Sequence, residues 1–473
     1  MLPAVLCACS TAVMNTPVAP SANAAVAEVS ISSSYEVGPS GKFKTPNDVP
    51  WDKLKAGDTV LIHWRSEPYK NKWVICAEGT EKAPITIRGV PGPKGELPVI
   101  DGDGATTSTQ CDFWGENRGV VKVGGARNPK GLGSKWLVIE NLDVTSGRPA
   151  FSYTSGKGAV EKYQRMAAAI WVEHAEHLVI RNCTLHNCGN GLFVSSNDKL
   201  AAEDILVENC HLYDNGDPSG YEHNSYTEAK GITFQYNWYG PLRKGAVSNN
   251  LKDRSSACVI RYNWFEGGDK VLDLVDAEDS KIVREDPRYR QTFVYGNVLI
   301  KRGGPVHPQI VHYGGDGAKA STYRKGTLYF YNNTVVSTKK DGSQLFWISS
   351  NDEICEARNN IFYTEGGGKS LALMRYGKGI LQLSHNYFKP GFRIAAEAKD
   401  AIVRDDKTSV LESSPGFVDE QGENFHLKSG SPCLGVGTKL APAALPIERE
   451  YKKHQSSTPT SGGRHLSIGA FQP

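Results

Sequence analysis

One short pattern recurs along this chain: a run of β-branched or aromatic residues, an asparagine, and a further apolar residue. The asparagines that share this context are Asn141, Asn182, Asn209, Asn237, Asn263, Asn297, Asn333, Asn360 and Asn386. From Asn182 onward their separations are 27, 28, 26, 34, 36, 27 and 26 residues. Such a repeat indicates one structural coil per unit, with loop insertions in the two longer intervals. No helical periodicity alternates with the strand candidates, which argues against a βαβ sheet.

The repeat predicts an all-β fold, a right-handed parallel β-helix in which each coil pairs its strands with the coils above and below. An asparagine at the same bend of every coil can pass amide hydrogen bonds along the solenoid and so satisfy buried polar groups. We therefore expect a ladder formed by Asn182, Asn209, Asn237, Asn263 and Asn297. Cys183 and Cys210 each follow one of these asparagines, so we expect their thiols to stack on adjacent coils.

Composition divides the chain into three parts. Residues 1–27 are apolar, rich in alanine and uncharged, which predicts a secretory or lipoprotein signal and hence a secreted, periplasmic or outer-membrane protein. Residues 28–440 hold the repeats and are expected to form the β-helix, and residues 441–473 are expected to pack back on it. No later apolar run is long enough to span a membrane. The net charge of +3 gives no preference for nucleic acid, and we expect a monomer.

The stretch from His223 to Asp276 contains two near-copies of the pattern, and aligning Asn237 with Asn263 pairs their polar residues. Tyr226 and Lys252 both lie 11 residues before the aligned asparagine. The other pairs are Asn224 with Asn250 and Glu228 with Arg254, at offsets of 13 and 9 residues. Alternate residues of a strand point to one side, and Leu251 belongs in the core. We therefore expect Tyr226 and Lys252 to be outward neighbours on coils about 4.8 Å apart.

The same strand column continues into later repeats. Matching the inward apolar residues predicts an outer row that runs through Tyr226, Lys252, Asp273, His312 and Trp347 on successive coils. A long groove lined by these groups, with an aromatic platform, suits an extended sugar chain.

This row could support β-elimination of a polysaccharide that contains uronic acid. That reaction needs a base for the C5 proton, an acid for the departing O4, and neutralisation of the C6 carboxylate. Lys252 could be the base if neighbouring Arg254 and Arg243 lower its pKa, and Tyr226 or His223 could be the acid, or Tyr226 both. The catalytic candidates are thus Lys252, Tyr226, His223 and Arg254. The substrate-binding candidates are Asn224, Arg243, Asn250, Asp273, Asp276, His312 and Trp347.

At these residues the chain resembles a known group of proteins. The repeats, the early text VIDGDG and the closing text SPCLGVG and IGAF look like the pectin-lyase-like right-handed parallel β-helix superfamily. The phrase NNLKDRSSACVIRYNWF is similar to the Lys-Ser segment of alginate lyases and chondroitinase B-type lyases. The resemblance implies that Lys252 is the base, that a downstream arginine is the acid, and that calcium assists. The chain departs from it where that family has paired acidic ligands, because Gly245 and Val247 stand there. We therefore expect no cofactor and no calcium site of the family type, and calcium held by other residues stays an open alternative.

Other functions remain open at this point. A glycoside hydrolase needs two carboxylates that flank the bond, which Glu228, Asp273, Asp276 and Asp279 could supply. A uronate C5-epimerase would share the proton abstraction at C5. A glycan-binding β-helix without activity would not need Lys252. The partner that we expect is an acidic polysaccharide.

Overall fold

The computed structural model describes residues 32–127, 133–303, 307–460 and 466–472. The signal predicted at residues 1–27 lies outside these ranges. Ser32–Pro473 form one compact unit. Within the described ranges the unit is almost entirely β-structure, with the single α-helix Lys281–Glu285. The short 3-10 turns are Pro46–Asp48, Glu116–Arg118, Pro287–Arg290, Ala320–Thr322 and Gly368–Ser370.

Three long sheets run along the solenoid. The first sheet has 13 strands: Ser34–Val37, Thr59–His63, Ile85–Val90, Ser134–Glu140, Ala175–Arg181, Ala202–Glu208, Ala229–Gln235, Ser256–Arg261, Gln291–Tyr295, Thr327–Tyr331, Ile354–Arg358, Ile380–Ser384 and Ile402–Asp405. The second sheet has 14: Val160–Lys162, Ser152–Thr154, Ala105–Thr107, Asn71–Ile75, Gly119–Val123, Ala168–Val172, Asn190–Val194, Ser225–Thr227, Leu251–Asp253, Leu272–Leu274, Gln309–Tyr313, Ser343–Ile348, Leu371–Met374 and Arg393–Ala395. The third sheet has 11: Val410–Leu411, Tyr387–Phe388, Ile361–Thr364, Thr334–Ser337, Val298–Lys301, Trp264–Glu266, Trp238–Tyr239, His211–Tyr213, Thr184–His186, Asp143–Thr145 and Val99–Asp101.

Strands of successive coils pair in parallel in all three sheets, as between Ala229–Gln235 and Ser256–Arg261. The exception at the edge of the second sheet is the antiparallel pair Ser152–Thr154 and Val160–Lys162. Inward side chains of the three sheets merge into one continuous apolar core. The prediction of a parallel β-helix is therefore confirmed.

An asparagine ladder runs through the core at the bend between the first and third sheets. Its members are Asn237, Asn263, Asn297, Asn333, Asn360 and Asn386, and each of the first five donates from Nδ2 to Oδ1 of the next at 3.0–3.1 Å. The Oδ1 atoms also accept backbone N–H groups, such as that of Asn237 from Asn263. Every inner amide is thus satisfied without water.

Asn182 and Asn209 are not members of this ladder, and that part of the prediction is wrong. Both residues adopt positive φ at the bend itself, one position before the ladder. Cys183 and Cys210 occupy the ladder position instead, and the Cys210 N–H donates to Oδ1 of Asn237 at 2.9 Å. Asparagine tolerates the left-handed region better than other non-glycine residues, which explains its place at the bend.

The C-terminal residues lie against the solenoid at several points. The Tyr331 hydroxyl donates to the carbonyl of Leu445 at 2.8 Å, and the N–H of Glu448 donates to the Tyr262 hydroxyl at 3.0 Å. Two antiparallel hairpins belong to this part of the chain, Phe417–Asp419 with Asn424–Leu427 and Arg449–Lys452 with Ser456–Pro459. Among the described residues, no helix has the length and apolar character that a membrane crossing requires.

Candidate active site

Five outward side chains of the second sheet form one row. Tyr226 pairs with Lys252, Lys252 with Asp273, Asp273 with His312, and His312 with Trp347, each on the next strand of the sheet. This is the register expected from the repeat. It follows from strand alternation, because the residues before them point into the core.

Buried polar contacts in the interior of the solenoid stabilise the strands that carry Tyr226 and Lys252. Asp253 turns inward and pairs with the guanidinium of Arg324 at 2.9 Å, and both side chains are fully buried. Oδ1 of Asp253 accepts from the Thr227 hydroxyl at 2.9 Å. The strands that carry Tyr226 and Lys252 are therefore joined by side-chain contacts in the core as well as by their backbone hydrogen bonds.

A cleft of about 400 Å³ opens over the Tyr226 end of the row. Its lining residues are Gly220, Tyr221, His223, Tyr226, Asn249, Lys252, Arg254, Lys270, Asp273, Glu278 and Asp316. All four residues proposed as catalytic are among them. The cleft combines cations, carboxylates, a phenol and an imidazole, which is a set that can bind a polar ligand and transfer protons.

The Tyr226 hydroxyl accepts a hydrogen bond from Nε of Arg254 at 3.1 Å. Nζ of Lys252 lies 5.6 Å from the centre of the Tyr226 ring. Burial raises the pKa of Tyr226, while the positive charges of Arg254 and Lys252 act in the opposite direction. The phenol therefore keeps its own proton free for a ligand, and the neighbouring cations stabilise the phenolate when that proton leaves.

His223 is held as a neutral imidazole. Its Nδ1 accepts the backbone N–H of Asn249 at 3.1 Å, so the proton of the neutral ring is on Nε2. Burial, together with the charge of Lys252, lowers the pKa of His223 to about 3. His223 can thus donate a hydrogen bond from Nε2, but it carries no positive charge at neutral pH.

Lys252 is not the free amine that a base requires, and this expectation is corrected. Its ammonium group contacts the carboxylate of Asp316 and lies 3.3 Å from Oδ2 of Asp273. Burial alone would lower the pKa of Lys252, but Asp273 and Asp316 raise it by more, so that it lies above the ordinary value. Arg254 repels Lys252 less than these two anions attract it, and Lys252 remains protonated.

Asp316 is a residue of the site that the sequence did not reveal. It lies in a glycine-rich loop after the strand Gln309–Tyr313, and its Oδ1 is 3.0 Å from Nη2 of Arg254. The carboxylate therefore bridges Lys252 and Arg254. Burial would raise the pKa of Asp316, but these two cations lower it. The only signal in the sequence was an aspartate between glycines, four residues beyond His312.

The sequence analysis also did not identify two further cleft residues, Lys270 and Asn249. Both bind the carboxylate of Asp273. Lys270 Nζ lies 3.6 Å from Oδ1 of Asp273, and Nδ2 of Asn249 donates to Oδ2 at 2.7 Å. Burial raises the pKa of Asp273, but Lys252 and Lys270 hold it well below its usual range. Asp273 is therefore an ionised carboxylate saturated by protein donors.

Asn224 and Asn250 do not face the cleft, and that prediction is wrong. Both are fully buried in a second internal stack, in which Asn215 donates to Asn224 at 2.9 Å and Asn224 donates to Asn250 at 2.6 Å. The two residues precede the strands Ser225–Thr227 and Leu251–Asp253 and lie at a bend. Strand alternation does not apply at a bend, which is why the offset argument failed there.

Arg243 and Asp276 are engaged by the protein itself rather than by the cleft. The Arg243 guanidinium donates to the carbonyls of Gly216, Cys188 and Asp214, and so it cannot act as the fork for a ligand carboxylate. Asp276 is fully buried and accepts the N–H of Asp316 at 2.9 Å. Asp276 thus fixes the loop that carries Asp316 instead of contacting substrate.

His312 and Trp347 extend the row but offer no open ring face. Nδ1 of His312 lies 2.7 Å from Asp273, and Nε2 lies 2.9 Å from the hydroxyl of Ser349. The Trp347 ring stacks on His312 with centroids 3.9 Å apart, and Arg375 lies 4.2 Å from the Trp347 ring on the following coil. Both faces of Trp347 are therefore covered, and the aromatic platform expected there is absent.

The carboxylates of the cleft do not fit a calcium ion. Calcium prefers several free oxygen ligands. Asp273 and Asp316 are bound by the cations named above, and Gly245 and Val247 bring no carboxylate to the rim.

The stacked parallel sheets, with a polar cleft on one side, define a parallel β-helix protein. Residues 99–362 match the family described as the right handed beta helix region, and the chain belongs to this family. The right-handed sense predicted from the repeat is thereby confirmed. No curated protein matches the sequence.

Solved structures with a similar fold include several polysaccharide lyases. The pectate lyase Pel9A is 13% identical, with a TM-score of 0.51, over 94% of this chain and 97% of that one. An alginate lyase from Paenibacillus sp. is 14% identical, with a TM-score of 0.47, over 75% of this chain and 99% of that one. A rhamnogalacturonan lyase is 11% identical, with a TM-score of 0.43, over 87% and 97%. The family match and the pectate lyase confirm the expected resemblance to the pectin-lyase-like superfamily as a resemblance of fold.

Proposed function

We propose that this protein is a polysaccharide lyase that cleaves a uronic-acid-containing polysaccharide by β-elimination in the cleft. The observation that carries the proposal is the contact between the Tyr226 hydroxyl and Nε of Arg254, at the floor of a cleft that also holds Lys252 and Lys270. A phenol held by a permanent cation can release a proton and take it back. The nearby cations are suited to the negative charge that develops on a uronate when C5 loses its proton.

The proposed reaction uses Tyr226 for both proton transfers. The Tyr226 phenolate takes the proton from C5, and the electrons of that C–H bond form the double bond between C4 and C5. The C4–O4 bond breaks, and O4 takes the proton from the Tyr226 phenol. Tyr226 is then a phenolate again, and the products are an unsaturated uronate end and a free hydroxyl end.

Lys252 and His223 support this reaction without acting as bases. The ammonium of Lys252 stabilises the phenolate and the negative charge on the substrate, because like Arg254 it remains protonated. Nε2 of His223 offers a neutral hydrogen bond to a sugar oxygen. The proposed reaction is independent of metal, which is supported by the saturation of Asp273 and Asp316 with protein cations.

A glycoside hydrolase is supported less well by the same cleft. Such an enzyme needs one protonated carboxyl group as acid and one carboxylate as base or nucleophile. The pKa values of Asp273 and Asp316 are both lowered by Lys252, in each case against the effect of burial, so neither holds a proton at neutral pH. Burial raises the pKa of Glu228 to about 8, but this residue is buried and is not part of the cleft lining.

The test is a screen of polysaccharides rich in galacturonate, glucuronate, mannuronate and guluronate, with the ultraviolet absorbance of unsaturated products as the readout. We expect at least one polymer to yield such products in the presence of a chelator, and Tyr226→Phe to remove most of the activity, since only the hydroxyl can exchange a proton. Products that are shortened but saturated would indicate hydrolysis. Binding without cleavage of any polymer would contradict the proposal.

A further inference from the structure

The carboxylate of Asp316 occupies the centre of the cleft between two cations. It contacts Nζ of Lys252 and lies 3.0 Å from Nη2 of Arg254. Its side chain is 29% exposed, whereas that of Asp273 on the other side of Lys252 is 1% exposed. Of the two carboxylates that hold Lys252, Asp316 is therefore the one that borders solvent.

The backbone of the Asp316 loop is fixed independently of this side chain. The N–H groups of Asp316 and Gly317 donate to Oδ1 of Asp276 at 2.9 and 3.3 Å, and the N–H of Gly315 donates to the Ser349 hydroxyl at 3.0 Å. Within the described part of the chain, the carboxylate of Asp316 bonds to the two cations alone. It can therefore rotate away from them while the loop stays in place.

The charges of the side chains that line the cleft are balanced when it holds no ligand. The lining contains three cations and three carboxylates: Lys252, Arg254 and Lys270, and Asp273, Asp316 and Glu278. A carboxylate that entered without displacing another would meet three existing anions, and like charges placed together repel each other. If Asp316 leaves as the ligand enters, the charge stays balanced, and Lys252 and Arg254 are never left unpaired.

We infer that Asp316 holds, in the free protein, the position that a carboxylate of the ligand takes in the complex. This rests on the proposed function, and it adds a criterion for selectivity. A sugar that bears a carboxylate can replace Asp316 between Lys252 and Arg254. A neutral sugar cannot, so it leaves the bridge closed and the cleft partly filled. Asp316 thus selects for a uronate at this subsite and competes with it.

The experiment compares binding in a Tyr226→Phe background, in which most of the turnover is removed. The variants added to it are Asp316→Ala and Asp316→Asn, with Glu278→Gln as the matched control. Glu278 is 55% exposed and lies 3.3 Å from Nη2 of Arg254, so its replacement makes the same change in net charge without opening the bridge. The probes are tetrasaccharides of galacturonate, mannuronate and guluronate and a glucuronate-containing tetrasaccharide, each with its carboxyl-reduced counterpart, titrated by calorimetry.

We expect Asp316→Ala to strengthen binding of at least one acidic tetrasaccharide by roughly tenfold, and Glu278→Gln to change it much less. Carboxyl-reduced sugars should bind with unchanged affinity. Asp316→Asn keeps the shape of the side chain and should also strengthen binding of the acidic tetrasaccharide. It serves as a second variant in case Asp316→Ala does not fold.

The outcomes separate the two proposals. Equal affinity gains in the Asp316 variants and Glu278→Gln, or weaker binding in the Asp316 variants, would overturn the inference and leave the lyase proposal standing. Binding of neutral but not acidic tetrasaccharides in every variant would overturn the uronate substrate itself, and the inference with it.

Discussion

Lys252 is the residue whose environment differs most from what its neighbours in the sequence suggested. The segment LKDRS places Arg254 two residues away and predicts repulsion. In the structure two carboxylates from later coils, Asp273 and Asp316, reach Lys252 and outweigh that repulsion. Lys252 therefore contributes to the stability of the fold as well as to the charge of the cleft.

Replacing Lys252 by alanine should for this reason destabilise the protein. Removing one partner from a buried ion pair leaves the other charge uncompensated, which costs roughly 3 kcal/mol. We expect the free energy of unfolding, measured by urea titration, to fall by about this amount.

The control for this prediction is the double variant Lys252→Met with Asp316→Asn. Asp273 would retain Lys270, Asn249 and His312 as partners, so much of the lost stability should return. A double variant no more stable than Lys252→Ala would show that the ion pairs are not the cause.

The pH dependence of turnover should report the pKa of Tyr226. Burial raises that pKa above 10.0, so only a small fraction of phenolate is present at neutral pH. We expect kcat/KM to rise from neutral pH toward pH 10, because the phenolate fraction increases with pH. Arg254→Gln should move this rising limb to higher pH, because the lost positive charge had lowered the pKa of Tyr226. An optimum on the acid side with a falling limb at neutral pH would point to a carboxyl acid instead.

At the scale of single elements, the asparagine ladder connects the coils from within. Each member satisfies groups of its own coil and of the coil before it, as Oδ1 of Asn263 does for both N–H and Nδ2 of Asn237. Removing one amide leaves buried donors without acceptors on the neighbouring coil. A defect at one rung therefore affects two coils.

Asn263→Ala should accordingly lower the free energy of unfolding by about 3 kcal/mol, since each unsatisfied buried group costs about 1–3 kcal/mol. The matched variant is Asn182→Gly at the exposed bend position. Glycine also adopts positive φ there, so the change should stay within about 1 kcal/mol. Chemical denaturation monitored by tryptophan fluorescence measures the free energy of unfolding of both variants. Equal decreases would show that the ladder residue contributes no more to stability than the bend residue does.

The outward row could be predicted from the sequence, and the ladder only in part. Period-two alternation and a repeat near 27 residues are properties of neighbouring residues, and they placed Tyr226, Lys252 and Asp273 in register. The predicted ladder was wrong by one residue at Asn182 and Asn209. An asparagine at the bend and an asparagine in the ladder are both preceded by strand residues and followed by apolar ones, so the sequence does not distinguish them. The sequence did contain a sign of this shift. Asn209 and Asn237 are 28 residues apart, whereas Cys210 and Asn237, which occupy equivalent positions, are 27 residues apart.

The contacts that close the cleft could not be read from the repeat. Asp316 and Lys270 lie in connections of irregular length, and their paths depend on what they meet in three dimensions. The pairing of Lys252 was misjudged because Asp316 was missing from the row. Asn224 and Asn250 were misplaced because the strands begin one residue later than the alternation argument assumed.

For the whole molecule, two buried glutamates make stability depend on pH. Burial raises the pKa of Glu222 to about 7 and that of Glu228 to about 8, with Asp217 and Asp279 acting in the same direction. In the unfolded chain both carboxyls titrate near 4.5. Between these values the unfolded state releases protons that the folded state keeps, so the contribution of these two carboxyls to stability falls as pH rises from about 4.5 to about 8.

We therefore expect the free energy of unfolding at pH 8, relative to that at pH 5, to be higher in Glu228→Gln than in the wild type. Buried histidines such as His223, whose pKa is lowered from 6.5 to about 3, add stability as pH rises and so act in the opposite direction, but they are the same in both proteins. Urea unfolding at the two pH values checks the prediction. An unchanged difference in Glu228→Gln would mean that this carboxyl ionises in the folded protein as it does in the unfolded one.

The two coils that depart from the regular length have a consequence for how this scaffold can change. Ladder residues are 34 and 36 residues apart from Asn263 to Asn297 and from Asn297 to Asn333, yet the rungs remain in hydrogen-bonding contact. The extra residues leave the stack at its bends, and those same intervals supply Asp273, Glu278 and Asp316. Part of the cleft lining, such as Asp316, is thus carried by segments outside the regular coil, whereas Tyr226 and Lys252 belong to the strands themselves. Exchange of one such segment would change the charges around these two residues while the ladder keeps its hydrogen bonds.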